Sequence, residues 1–179
     1  MATPLSGAFV IELDLRADAR GSFTRLFCSD EFAGSRLMTS IAQINHSTNL
    51  KAGTLRGIHY QLEPFSEVKI VRCTNGSVWD VMVDLRETSP TFCKWFGITL
   101  TAEKPSLVYV PKGFGHAYIT LTDHAEVIYF VTEFYHPPSD RTARWDDPKF
   151  GIEWPREASV ISEKDRNAPL FDRKYHLGR

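Results

Sequence analysis

The stretch Ser77-Val78-Trp79-Asp80-Val81-Met82-Val83-Asp84-Leu85 decides the fold class. Trp79, Val81 and Val83 alternate with Asp80, Met82 and Asp84, the period of two expected of a strand with one face against a core. The same grammar repeats on either side. Short β-branched and aromatic runs over residues 9–15, 22–27, 41–47, 55–61, 68–73, 95–101, 107–110, 116–121 and 126–134 are separated by Gly, Pro, Asn and Asp, as in an all-β sandwich or barrel. Helical periodicity is nearly absent. Ten or so strands in this length predict a jelly-roll barrel, which limits open edges and can enclose a ligand. After His136, Pro137-Pro138, Asp146-Asp147-Pro148 and Trp154-Pro155 predict loops and short helices wrapped around it.

Composition narrows the function. With 179 residues, 42% hydrophobic and 24% charged, the chain is expected to form one domain over residues 1–179. Lys and Arg number 21 against 22 Asp and Glu, so no global basic field exists to hold a nucleic acid. An anionic ligand must then be gripped by a local cluster. No run reaches membrane-spanning length, and the opening Met1-Ala2-Thr3-Pro4-Leu5-Ser6-Gly7 lacks the features of a secretory signal; a cytoplasmic protein is expected. Cys28, Cys73 and Cys93 are odd in number and widely spaced, which argues against a disulfide framework or zinc knuckle and reads as buried small hydrophobes. The sequons Asn45-His46-Ser47 and Asn75-Gly76-Ser77 carry no chemistry in that compartment.

Four segments could carry chemistry. Leu55-Arg56-Gly57-Ile58-His59-Tyr60-Gln61 is more polar than a dry core strand tolerates; a solvated edge is the plain alternative. Pro111-Lys112-Gly113-Phe114-Gly115-His116 delivers a histidine from a turn onto a strand and has the Pro-x-Gly-x-x-His form of the second signature of the cupin barrels. The first cupin signature needs two histidines one residue apart, and here the matching place reads His59-Tyr60-Gln61. An iron site from His59, Glu67 and His116 is conceivable, but Glu67 follows His59 by eight positions across a turn at Pro64, and no metal or other cofactor is expected. Lys69 lies in an otherwise apolar strand, where it either snorkels to solvent or supplies a point charge to an enclosed cavity. Tyr129, in mid-strand, is either a core tyrosine or a cavity group.

Taken in order, these segments resemble the dTDP-4-dehydrorhamnose 3,5-epimerase family, a branch of the cupin barrels. The matching stretches run from Asp18-Ala-Arg20-Gly-Ser-Phe23 and Gln43-Ile-Asn45-His-Ser47 through Gly53-Thr-Leu-Arg56-Gly-Ile-His59-Tyr-Gln61, Lys69-Ile-Val-Arg72 and Val78-Trp-Asp80-Val-Met-Val-Asp84-Leu-Arg86. Ser89-Pro-Thr-Phe92, Pro111-x-Gly-x-x-His116, Tyr129 and Ser162-Glu-Lys164-Asp165 complete them. The resemblance implies epimerisation at C3, C5 or both of a nucleotide-diphosphate-linked 4-keto-6-deoxyhexose. It implies His59 as base, Asp165 as its orienting partner, Tyr129 as the opposing acid and Lys69 as the stabiliser of an enolate. It further implies that Arg20, Gln43, Asn45, Arg56, Lys69, His116 and Lys164 hold the nucleotide diphosphate and sugar, with Arg20 donated across a homodimer.

Three positions depart from the family's pattern. Arg25 stands where a glutamate usually helps hold the base, which reverses the polarity of that contact; a CDP- or GDP-linked sugar is therefore an alternative substrate. Asp140 stands where a second binding glutamate is frequent, keeping the charge with a shorter reach, and Phe130 replaces a frequent lysine. A metal-dependent cupin oxygenase and a non-catalytic sugar-binding cupin are the readings from other classes.

Overall fold

A computed structural model of the chain describes residues 1–178. The chain enters through β1 (Phe9–Glu12) and a hairpin of β2 (Leu15–Asp18) and β3 (Gly21–Thr24), followed by a short helix α1 (Ser29–Gly34). Eight longer strands make the body: β4 (Gln43–Asn49), β5 (Thr54–Gln61), β6 (Lys69–Asn75), β7 (Ser77–Asp84), β8 (Trp95–Thr101), β9 (Ser106–Val110), β10 (Phe114–Thr120) and β11 (Ala125–Val131). Two short strands, β12 (Asp140–Thr142) and β13 (Val160–Ile161), and two short helices, α2 (Glu163–Arg166) and α3 (Arg173–Leu177), finish it.

The strands form two facing sheets of a jelly roll, ordered β1-β9-β6-β11-β4 and β12-β5-β10-β7-β8, with β13 added in parallel to β5. Between them lies an apolar layer that includes Val71, Val78, Met82, Val108, Val110 and Val127. Each sheet is also covered on its outer side. Phe32 of α1, with Leu26, Phe27, Leu37 and Ile41, packs on the first sheet. Phe150, Ile152, Trp154 and Phe171 of the C-terminal segment pack on Trp79, Val81 and Val83 of the second.

That outer cover corrects the reading of Ser77–Asp84. One buried face was expected, yet from Asp80 to Asp84 both faces are buried. The C-terminal segment accounts for Val81 and Val83, and the carboxylates are tolerated inside because each has partners. Asp80 faces His116, and Asp84 accepts from Arg86, Ser89 and Thr91. Elsewhere the expected 9–15 run breaks into β1 and β2, and 22–27 shortens to β3. The 126–134 run stops at Val131, and α1, β12 and β13 were not anticipated. Cys73 and Cys93 are buried as expected, whereas Cys28 is only half-buried. Among the described residues no helix is long and apolar enough to cross a membrane.

Candidate active site

At one end of the sandwich the two sheets enclose a cavity of about 490 Å³. β4 alternates strictly there: Gln43, Asn45 and Ser47 line the hollow while Ile44, His46 and Thr48 point outward. β6 contributes Lys69 and β11 contributes Tyr129, both from the first sheet; β5 and β10 of the second contribute Arg56, His59, Gln61, His116 and Tyr118. The mouth is closed in by Glu133, Tyr135, Asp140 and Lys164.

Arg56 and His59 share this cavity because of a bulge. In a regular strand, residues three apart face opposite sides. Here His59 pairs with His116 and Arg56 with Tyr118, so three steps on β5 match two on β10, and the extra residue re-aims the side chains onto one face. Gly57 makes this possible. Its φ is +123°, and a Cβ there would lie 2.5 Å from Ala117 Cβ and 2.7 Å from the His116 carbonyl oxygen.

His59 Nε2 lies 2.6 Å from Asp165 Oδ1. Asp165 is delivered by α2, whose cap Ser162 accepts from the Asp165 N–H at 3.1 Å, and its second oxygen accepts from the Gly57 N–H at 3.3 Å. Burial opposes the charge on this carboxylate, but the hydrogen bond and electrostatic attraction of His59, with the Gly57 N–H, outweigh it and hold the carboxyl below its usual range. An ionised Asp165 only accepts, so Nε2 carries the proton and Nδ1 of His59 is the basic nitrogen.

Across the cavity, burial pushes the Tyr129 phenol above its ordinary range, with Arg56 pulling it down and Glu67 pushing it up. Its hydroxyl has no hydrogen-bond partner among the described residues, which leaves it free for a ligand. Lys69 Nζ donates to the His59 carbonyl at 3.1 Å and lies 3.3 Å from Glu67 Oε1. Arg56 Nε donates to Asn49 Oδ1 at 2.8 Å and its Nη2 to the Thr48 carbonyl at 3.5 Å. His116 Nε2 is 2.8 Å from Asp80 Oδ2, with both residues buried. At the mouth Lys164 Nζ donates to Asp140 Oδ2 at 2.6 Å.

Nearly all the anticipated residues converge. His59, Tyr129, Lys69, Gln43, Asn45, Arg56, His116, Asp140 and Lys164 line the cavity, and Asp165 stands behind His59. Arg20 and Arg25 do not reach the cavity of their own chain. Arg20 is at the tip of the β2–β3 hairpin, paired with Asp18 at 2.6 Å and 90% exposed; Arg25 lies 3.1 Å from Glu31 beside a separate hollow of about 330 Å³. His59, Glu67 and His116 all line the cavity, but each is engaged by a different partner, and among the described residues no group of three His, Cys, Asp or Glu side chains gathers as a metal ligand set would. The sequence reading missed Ser47, Tyr118, Glu133 and Tyr135 as lining groups. The period-two rule applied outward from Asn45, His116 and Tyr129 points to all four, although Glu133 and Tyr135 lie beyond the end of β11.

Comparison with known proteins identifies the family. The family model described as dTDP-4-dehydrorhamnose 3,5-epimerase matches residues 2–173. A dTDP-4-dehydrorhamnose 3,5-epimerase of Shigella flexneri is 40% identical over 172 residues, covering 94% of this chain and 93% of that protein. The crystal structure of the Bacillus anthracis dTDP-4-dehydrorhamnose 3,5-epimerase with TDP and PPi bound superposes with a TM-score of 0.93 at 37% identity, covering 96% of this chain and 98% of the other. A 3'-monoepimerase from Streptomyces bikiniensis in complex with dTDP-quinovose gives a TM-score of 0.88 at 34% identity, covering 94% and 85%. The chain belongs to the dTDP-4-dehydrorhamnose 3,5-epimerase family.

Proposed function

We propose that this chain, acting as a single cupin-like domain, epimerises dTDP-4-dehydro-6-deoxyglucose at C3 and C5 to dTDP-4-dehydrorhamnose, without a metal or redox cofactor. The observation that carries the reading is one pair of groups. His59, with a lone pair on Nδ1, and Tyr129, with an unbonded hydroxyl, come from opposite sheets and face the same cavity.

The 4-keto group acidifies the hydrogens on its neighbouring carbons C3 and C5. His59 Nδ1 takes such a hydrogen as a proton and Asp165 stabilises the resulting imidazolium. The electron pair moves into the carbonyl as an enolate, whose oxygen Lys69 stabilises. Tyr129 then gives its proton to the same carbon from the other face, which inverts it. A positioned acid or base is worth about 10² to 10⁴ in rate, or about 3 to 5 kcal/mol each, and one well-placed enolate donor about 3 to 4 kcal/mol. Arg56 and Lys164 supply the local positive charge for the diphosphate that net composition does not, with His116 beside them as a hydrogen-bonding group; Gln43, Asn45 and Asp140 serve the sugar and nucleoside.

We further place the protein in the cytoplasm as a homodimer. The β2–β3 hairpin is exposed along nearly its whole length, with Phe23 at 61% and Leu15 at 47%, an arm suited to bring Arg20 and Arg25 to the cavity of a second copy. Arg25 then contacts the base.

The test is turnover followed by NMR with dTDP-, CDP- and GDP-linked 4-keto-6-deoxyglucose, alongside elemental analysis. Conversion of the dTDP sugar with inversion at C3 and C5 by metal-free protein is expected. Conversion of none of the three overturns the proposal, and about one bound metal per chain together with metal-dependent turnover overturns its metal-free part.

A further inference from the structure

The cavity contains a carboxylate that this proton-transfer scheme does not use. Glu67, just before β6, has a side chain only 9% exposed, and its Oε1 lies 3.3 Å from Lys69 Nζ. Its Oε2 accepts from Gln61 Nε2 at 2.5 Å. Gln61 is itself fixed by the backbone: Nε2 also donates to the carbonyls of Phe65 and Phe134, at 2.9 and 3.2 Å, and Oε1 accepts from the His136 N–H at 2.6 Å. The Lys69 ammonium is therefore clamped between this immobilised carboxylate and the backbone carbonyl of His59 at 3.1 Å. A negative charge in a hollow meant for a nucleotide diphosphate opposes binding, so it must contribute elsewhere.

We propose that Glu67 is a positioning residue of the epimerisation, fixing the Lys69 ammonium beside the forming enolate and setting a negative charge within the cationic cavity that the Tyr129 phenol faces. This rests on the epimerase reading above. Tyr129 faces Arg56 and His59 from β5, Lys69 from β6 and His116 and Tyr118 from β10, with Glu133, Tyr135, Asp140 and Lys164 at the mouth. Asp140 is already matched by Lys164 at 2.6 Å. Burial raises the Tyr129 phenol, Arg56 lowers it, and Glu67 is the carboxylate that raises it further.

The test is the pH dependence of kcat and the KM for dTDP-4-dehydro-6-deoxyglucose in wild type, Glu67→Gln and Glu67→Asp. Glu67→Gln removes the carboxylate that raises the Tyr129 phenol, so Tyr129 gives up its proton at lower pH. The basic limb of its kcat profile should therefore move down by about one pH unit, kcat should fall about tenfold, and KM should stay level or decrease. Glu67→Asp keeps the charge but retracts it; its basic limb should remain at the wild-type position while kcat falls. Basic limbs that coincide in wild type and Glu67→Gln overturn the inference, as does a shifted limb in Glu67→Asp. Should Glu67→Gln fail to fold, Glu67→Asp decides alone: a kcat equal to wild type overturns the inference, and a reduced kcat with unchanged KM and an unmoved limb supports it. Wild type inactive on every 4-keto sugar sinks the epimerase reading, whereas active wild type with superimposable variants sinks only the role of Glu67.

Discussion

His59 and Asp165 stand 106 positions apart in the sequence and 2.6 Å apart in the fold. The distance is closed by β13, whose Val160 and Ile161 pair in parallel with Thr54 and Leu55 of β5, so the next residues deliver Asp165 beneath the imidazole. The carboxylate selects the tautomer with Nδ1 basic. Asp165→Asn keeps the shape but can present an amide N–H to Nε2, which favours the wrong tautomer. Turnover of the dTDP sugar should fall by about 10² to 10⁴-fold with little change in KM. A loss confined to KM would remove Asp165 from this role.

The bulge at Gly57 makes a second expectation. Gly57→Ala forces a Cβ to 2.5 Å from Ala117 Cβ at a backbone φ of +123°. β5 must shift, at a cost of about 2 kcal/mol or more, and Arg56 and His59 lose their common face. Urea unfolding should show the lowered midpoint, and calorimetry should show weakened binding of dTDP. Wild-type values in both would mean that the bulge does not set the site.

Asp84 gives a test of the core. It is fully buried and accepts from Arg86 Nη2 at 2.8 Å, Ser89 at 2.5 Å and Thr91 at 2.7 Å. Burial opposes its charge, but these donors hold the carboxyl below its usual range. Asp84→Ala leaves several donors and the buried side of Arg86 without their acceptor, and should cost about 3 kcal/mol or more in urea unfolding. A loss under about 1 kcal/mol would contradict this account.

Acid should weaken the protein in two stages. His176 is fully buried on α3; the Tyr60 hydroxyl donates to its Nδ1, and its Nε2 N–H donates to the Leu170 carbonyl at 3.2 Å. Burial lowers its pKa, against the pull of the Leu170 carbonyl and Asp147. Its contribution is complete above the unfolded value of about 6.5 and is lost as the pH falls from there through the lower folded value. Asp165, also depressed, contributes fully above about pH 4 and loses its share as the pH falls through its own folded value. Thermal melts from pH 8 to 3 should therefore show Tm declining first below about pH 6.5, and His176→Gln should flatten that first decline. An unchanged slope would contradict the assignment.

The strands were legible because short β-branched and aromatic runs are set off by Gly, Pro, Asn and Asp, and most cavity residues were legible because the motif positions fall on those strands. What the sequence hid was long-range or context-dependent. No local pattern announces that the C-terminal segment is what covers Trp79, Val81 and Val83, so the burial of the opposite face of β7, with Asp80, Met82 and Asp84, between the sheets went unseen. The bulge at Gly57 looks like ordinary strand until its partner β10 is known. Glu67 read as a distant ligand because its tie to Gln61 and Lys69 depends on how the turn at Pro64 folds back. Arg20 and Arg25 fall outside the cavity because the exposed β2–β3 hairpin leads away from the body of its own chain.

The central claim is that an imidazole and a phenol work from opposite walls of one cavity, and hydrogen exchange in D₂O measures it most directly. Wild type should place deuterium on C3 and C5 of the dTDP-4-keto sugar. His59→Asn should abolish exchange, and Tyr129→Phe should retain exchange while losing most of the inversion. Exchange at the wild-type rate in His59→Asn, or inversion at the wild-type rate in Tyr129→Phe, would contradict the account.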